Sequence, residues 1–295
     1  MARLEGVFCP TVTFFDAQGG LDVATFEEHL HHLMDAGLQG VVPLGTMGEF
    51  TLLTDAERRT LAEASVHAVG GKGKVIVGTG SPSTDTAVAL SLHAQDVGAD
   101  AVVVVTPFYM KPNRDGLLRH YEALHRAVGI PVLAYNLPSF AGYSLDNEVV
   151  VELAREGVLQ GLKDTEGNLA KDLALVAELP KDFTLLTGAD PIFLGLTLQG
   201  GSGGILGTSN FFPATVEEMY RSVREGNVKR AAEIQAGVAR LSEAIGTGAF
   251  PAATKYIVEK VWGHPAHLRL PVTPLSEAER SRVDAILKEF LGSWK

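Results

Sequence analysis

The chain has 295 residues, 46% of them apolar, with 35 acidic against 25 basic side chains and a formal charge of −10. That balance is too apolar for a disordered chain, and too acidic for a binder of nucleic acid or anionic membrane, which would need a basic patch. The one cysteine, Cys9, excludes an intrachain disulfide and points to a reducing cytoplasm.

From the N-terminus, β-rich runs alternate with amphipathic helical stretches. The runs are "GVFCPTVTF" from Gly6, "GVVPLGT" from Gly40, "KVIVGTG" from Lys74 and "AVVVVTP" from Ala101. They continue as "PVLAYNLP" from Pro131, "VLQGLKDT" from Val158, "FTLLTGAD" from Phe183 and "GGILGTSN" from Gly203. Several of the stretches between them, such as "TDAERRTLAEASVHAVG", open on Asp or Thr and close on Gly, and Thr54 with Glu57 makes a capping box. Nearly continuous Val/Ile/Leu strands indicate a parallel sheet buried on both faces. Eight units ending near residue 225 predict an α/β fold of the (β/α)8 TIM-barrel type as a catalytic domain over 1–225. Residues 226–295 read as a C-terminal helical extension packed on the barrel. A doubly wound sheet would usually have fewer strands and a phosphate loop, and neither "GGKGK" nor "GGSGGILG" has that spacing. No apolar run approaches membrane-spanning length, and the N-terminus reads as lacking a leader.

In such a barrel the loops after the strands build the active site. Those ends carry hydroxyls, glycines and one lysine on a strand, Lys163, with Asp164 and Thr165 behind it. A free lysine amine has a pKa of about 10.4, and burial disfavours the ammonium, which makes the amine a nucleophile toward carbonyl carbon. The competing reading is an ammonium paired with Asp164 or Glu166, the commoner fate of an isolated lysine. Tyr135 ends the preceding strand and can carry a proton in the same cavity, with Thr46 across the mouth as relay. Lys111 is the nearest rival amine, but "YMKPN" reads as a solvated turn. The "HLHH" of His29, His31 and His32 reads as an outer helix face, so neither metal nor nucleotide is expected.

The motifs "GTMGE" (45–49), "TPFY" (106–109), "YNLPSFAG" (135–142), "GLKDT" (161–165) and "TGAD" (187–190) follow the order and spacing of one family. Over its whole length the chain resembles the dihydrodipicolinate synthase/N-acetylneuraminate lyase family. That resemblance implies a class I aldolase with no cofactor beyond a covalent imine on Lys163, acting on pyruvate and an aldehyde. It makes Tyr135 the general acid/base and Thr46, with the backbone of Met47 and Gly48, the holder of the substrate carboxylate. Tyr109 matches a tyrosine that reaches the neighbouring subunit's site, Ile205 matches a pocket wall, and a homotetramer of paired dimers is implied. Thr165, Gly188 and Asp190 join the expected substrate-binding set. Phe140 stands where the synthases carry an arginine for the second carboxylate of aspartate semialdehyde, and losing such charge-assisted bonds costs about 2–5 kcal/mol. Arg114 is the one candidate substitute. "YNLPSFAG" is more similar to the lyase side, and "KDT" to the 2-keto-3-deoxygluconate aldolases. The expectation is therefore aldol cleavage of a 2-oxo-3-deoxy acid. Condensation of pyruvate with aspartate semialdehyde is the alternative, and a non-catalytic 2-oxo acid binder is the reading from another class.

Overall fold

The computed structural model describes residues 4–293. Eight strands form a closed, all-parallel barrel in chain order, β1 pairing with both β2 and β8. They are β1 (Gly6–Cys9), β2 (Gly40–Val41), β3 (Lys74–Gly78), β4 (Ala101–Val105), β5 (Val132–Asn136), β6 (Gly161–Asp164), β7 (Thr184–Thr187) and β8 (Gly203–Ile205). All eight runs expected from sequence contain strands, each shorter than its run. The seam between first and last strands is tight. Gly203 lies at φ 132°, and a Cβ there would meet the carbonyl oxygen of Gly6, so glycine is required at that crossing.

Alternation along the strands sorts the core into two layers. Phe8, Val42, Ile76, Val103, Leu133, Leu186 and Ile205 fill the barrel. Their neighbours, among them Val7, Cys9, Val41, Val77, Val102 and Leu185, face the surrounding helices. Those helices begin as read. Thr54 accepts from the Glu57 N–H while the Glu57 carboxylate accepts from the Thr54 N–H, starting Asp55–Val69. Gly70, left-handed at φ 54°, ends that helix.

After the eighth strand and the helix Pro213–Arg224, the chain forms the helices Val228–Ile245, Ala252–Trp262 and Glu277–Ser293. They cover one side of the barrel, and the segment joining the first two reaches over its C-terminal mouth with Phe250. No described helix is long and apolar enough to cross a membrane.

Candidate active site

Tyr135 and Lys163 are register partners on β5 and β6, and Asn136 and Asp164 are the next pair along. Alternation sends the first pair into the barrel and the second toward the helices. Lys163 is 4% exposed and Tyr135 5%, and the Lys163 Nζ lies 4.1 Å from the Tyr135 ring centroid. Thr46 Oγ1 stands 3.5 Å from the phenol oxygen, at the long end of hydrogen-bonding range.

The anions that were candidates to neutralise Lys163 are engaged elsewhere. Lys171 Nζ donates to Glu166 Oε2 at 2.6 Å and to Ser144 Oγ at 2.7 Å, and it sits 3.7 Å from Asp164 Oδ2. The Asn136 amide donates to Asp164 Oδ2 at 2.9 Å and to Glu166 Oε2 at 3.1 Å. Lys171 and Ser144 hold the Glu166 carboxyl below its usual range. Among the described residues no carboxylate pairs with Lys163. Behind this network lies Asp172, 1% exposed with neither oxygen hydrogen-bonded, its pKa pushed up to about 7 by burial and then by Asp164.

A cavity of about 190 Å³ surrounds the amine. Thr46, Met47, Phe140 and Thr165 line it with Tyr135 and Lys163, as do Gly188, Asp190 and Ile205. Thr165 Oγ1 is buried without a protein partner. A Cβ on Gly188 would run into that hydroxyl and come within 2.9 Å of Lys163 Cε, so glycine keeps the channel to the amine open. Opposite, the loop after β2 turns back on itself between two non-glycine residues of positive φ, Leu44 (62°) and Glu49 (55°), strain of a kind that gathers at functional loops. Among the described residues the N–H groups of Thr46 and Met47 have no protein acceptor.

Several expectations need correction. Gly48 does not line the cavity, because its N–H donates to Gly45 O and its carbonyl accepts from Thr13 Oγ1, which ties it into the turn. No correction falls on Tyr109, expected to reach a neighbouring subunit's site: it is 94% exposed at φ 70° and does not line its own chain's cavity. The Asp190 carboxylate is a wall rather than a free ligand, since it accepts from Thr208 Oγ1 at 2.5 Å and from the Thr208 and Gly207 N–H groups. Arg114 pairs with Glu152 on the outer helices and does not replace the missing cation near Phe140. His29 is fully buried beside Phe14 and His264, so the outer-face reading of "HLHH" holds for His31 alone. Burial pushes His29 down to about 3. His32 and His264 lie 3.4 Å apart, nitrogen to nitrogen, with Glu28 within 4.8 Å.

Sequence reasoning also missed parts of the site. Ile245 and Phe250, both beyond residue 225, line the cavity. From the same extension Lys255, 1% exposed, forms a buried ion pair with Glu49 and donates to His267 O at 2.8 Å. Burial pushes Glu49 up and lowers Lys255 to about 8, and each partner opposes the other's shift. The signal was present in the helix "PAATKYIVEKVW", where Lys255 falls on the apolar stripe of Ala252, Val258 and Trp262.

An amine and a phenol facing each other in the C-terminal mouth of a (β/α)8 barrel, with unpaired N–H groups across from them, define a barrel aldolase or lyase for small oxo acids. The chain belongs to the dihydrodipicolinate synthetase family, whose model matches residues 3–290. It is 37% identical over 290 residues to the 4-hydroxy-tetrahydrodipicolinate synthase of Methanopyrus kandleri, covering 98% of this chain and 96% of that one. The synthase of Methylacidiphilum fumariolicum SolV superposes with a TM-score of 0.94 at 28% identity, covering 99% and 97% of the two chains. A dihydrodipicolinate synthase from Acinetobacter baumannii, complexed with pyruvate, gives 0.94 at 30% identity, covering 97% and 99%. The family joins and splits carbon chains through a covalent imine between a lysine and pyruvate, without an external cofactor, and the chain is a class I pyruvate-dependent aldolase/lyase. The lean toward the lyase side is not confirmed by these relatives, which are named synthases.

Proposed function

We propose that Lys163 forms the imine with a 2-oxo acid and that the chain catalyses reversible aldol cleavage of a 2-oxo-3-deoxy acid to pyruvate and an aldehyde. The observation that carries this reading is the engagement of Asp164 and Glu166 by Lys171 and Asn136, which leaves the Lys163 amine facing only the Tyr135 ring and the cavity. Lys163 Nζ attacks C2 and water leaves, giving an iminium. Tyr135, with Thr46 as relay, takes the C4 hydroxyl proton while the C3–C4 electron pair moves to the iminium. The enamine so formed is protonated and hydrolysed to pyruvate. The unpaired N–H groups of Thr46 and Met47 hold the carboxylate, and the Thr165 hydroxyl takes a substrate oxygen. Borohydride added with pyruvate is expected to leave a reduced adduct on the Lys163 peptide, and an unlabelled peptide there ends this reading.

The second reading, condensation of pyruvate with aspartate semialdehyde, is favoured by the names of the relatives. Against it stands the cavity wall, where Phe140 replaces an arginine and Arg114 is bound to Glu152. A coupled assay with aspartate semialdehyde separates the two, and efficient turnover would favour the synthase. The same proposal includes a cytoplasmic setting, supported by the free buried thiol of Cys9, and a homotetramer in which Tyr109 reaches a neighbouring copy. The exposed tip of Tyr109 and Met110 supports that assembly, and sedimentation velocity tests it.

A further inference from the structure

The mouth of the barrel has a second chamber, of about 270 Å³, that shares Thr46, Leu137, Phe140 and Phe250 with the chamber holding Lys163. Its further walls are apolar: Phe50 and Phe108 meet edge to face at 5.9 Å, and Val272 closes the far side. Phe140 and Phe250 meet in the same way at 5.5 Å where the chambers join. The polar side chains on its walls are the hydroxyls of Thr46 and Thr51 and the carboxylate of Glu49, which is committed to Lys255.

We infer that this chamber receives the substituent on the aldehyde carbon, and that the aldehyde is an aliphatic or aryl one rather than a polyol or an acid. The inference rests on the imine reading above and narrows it. Tyr135 takes a C3 proton from the pyruvate iminium to give the enamine, the enamine carbon bonds to the aldehyde carbon beside Tyr135 and Thr46, and the aldehyde oxygen takes that proton back from the phenol. Hydrolysis of the imine then releases the 4-hydroxy-2-oxo acid, returning the water lost when the imine formed. The group on the aldehyde carbon extends past Thr46 and Leu137, onto the aromatic walls. Apolar cavities of about 150 Å³ are known to hold a benzene ring, so a phenyl or branched group of about four carbons fits the volume. Sugar hydroxyls there would shed water with few partners in return, and a carboxylate would find no free cation on the described walls.

The test is condensation of pyruvate with a panel of aldehydes by the full-length protein. Benzaldehyde and 3-methylbutanal are expected to exceed glyceraldehyde and aspartate semialdehyde by about thirtyfold or more in kcat/KM. Val272→Gln, on the far wall, is expected to shrink that preference about tenfold. Equal or reversed preference in the unaltered protein, as would follow if a neighbouring copy filled the chamber, overturns the inference, and so does a preference untouched by Val272→Gln. Borohydride trapping with pyruvate alone keeps the two levels apart. A labelled Lys163 with no apolar preference sinks only this inference, whereas an unlabelled Lys163 sinks the imine reading beneath it.

Discussion

Among the described residues two lysines are buried, and they are handled differently. Lys255, under the loop after β2, is matched to Glu49, caps a carbonyl and lies 4.3 Å from the centroid of the Phe15 ring. Lys163, on the other side of the mouth, also lies over an aromatic ring but is denied its carboxylates by Lys171 and Asn136. Burial alone therefore does not mark a nucleophile. On the imine reading proposed above, what separates a strut from a reagent is whether a fixed anion holds the ammonium in place.

Substitution is the direct way to break this contrast. Lys163→Met is expected to abolish borohydride trapping and pyruvate release while leaving the melting temperature equal or higher, because it removes a buried amine that has no anion. A large loss of stability would instead make Lys163 structural. Lys255→Met is expected to do the reverse first. It strands Glu49 as a lone buried carboxylate and should cost about 3–5 kcal/mol in urea unfolding, most of it recovered by adding Glu49→Gln. Failure of that second change to rescue would show that the two are not coupled. Asp172→Asn sharpens the picture of the network behind Lys163. The Asp172 pKa is raised in the folded state, so its contribution is fully present below about pH 4 and is lost as pH rises through about 7. The substitution is therefore expected to stabilise the protein at pH 8 by about 1–3 kcal/mol and by much less at pH 5, as read from paired urea melts. A gain of equal size at both pH values would remove the charge from the explanation.

Much of the barrel was legible because its signals are local. Strand-length apolar runs, capping residues and closing glycines repeat unit by unit, and Lys163, Tyr135 and Thr46 stand out because each follows such a run. What escaped depends on contacts between distant segments. Nothing near Gly48 announces that its N–H is spent on Gly45, and nothing near Asp190 announces Thr208. The part played by Phe250 emerges only when the extension folds back over the mouth. The burial of His29 likewise depends on Trp262 and His264, which the chain delivers from its far end.

The pairing of β5 with β6 carries a consequence for how such a protein diversifies. The bond from Asn136 to Asp164 lies one step beyond Tyr135 and Lys163, on the side of the sheet away from the cavity. It therefore works as a rivet on the outside of the wall, setting the span between two tools mounted inside. Phe140, Phe250 and Val272 all sit beyond the strands, so changes there would leave that span undisturbed. A slip of a single residue between the two strands, by contrast, would turn both tools out of the barrel together.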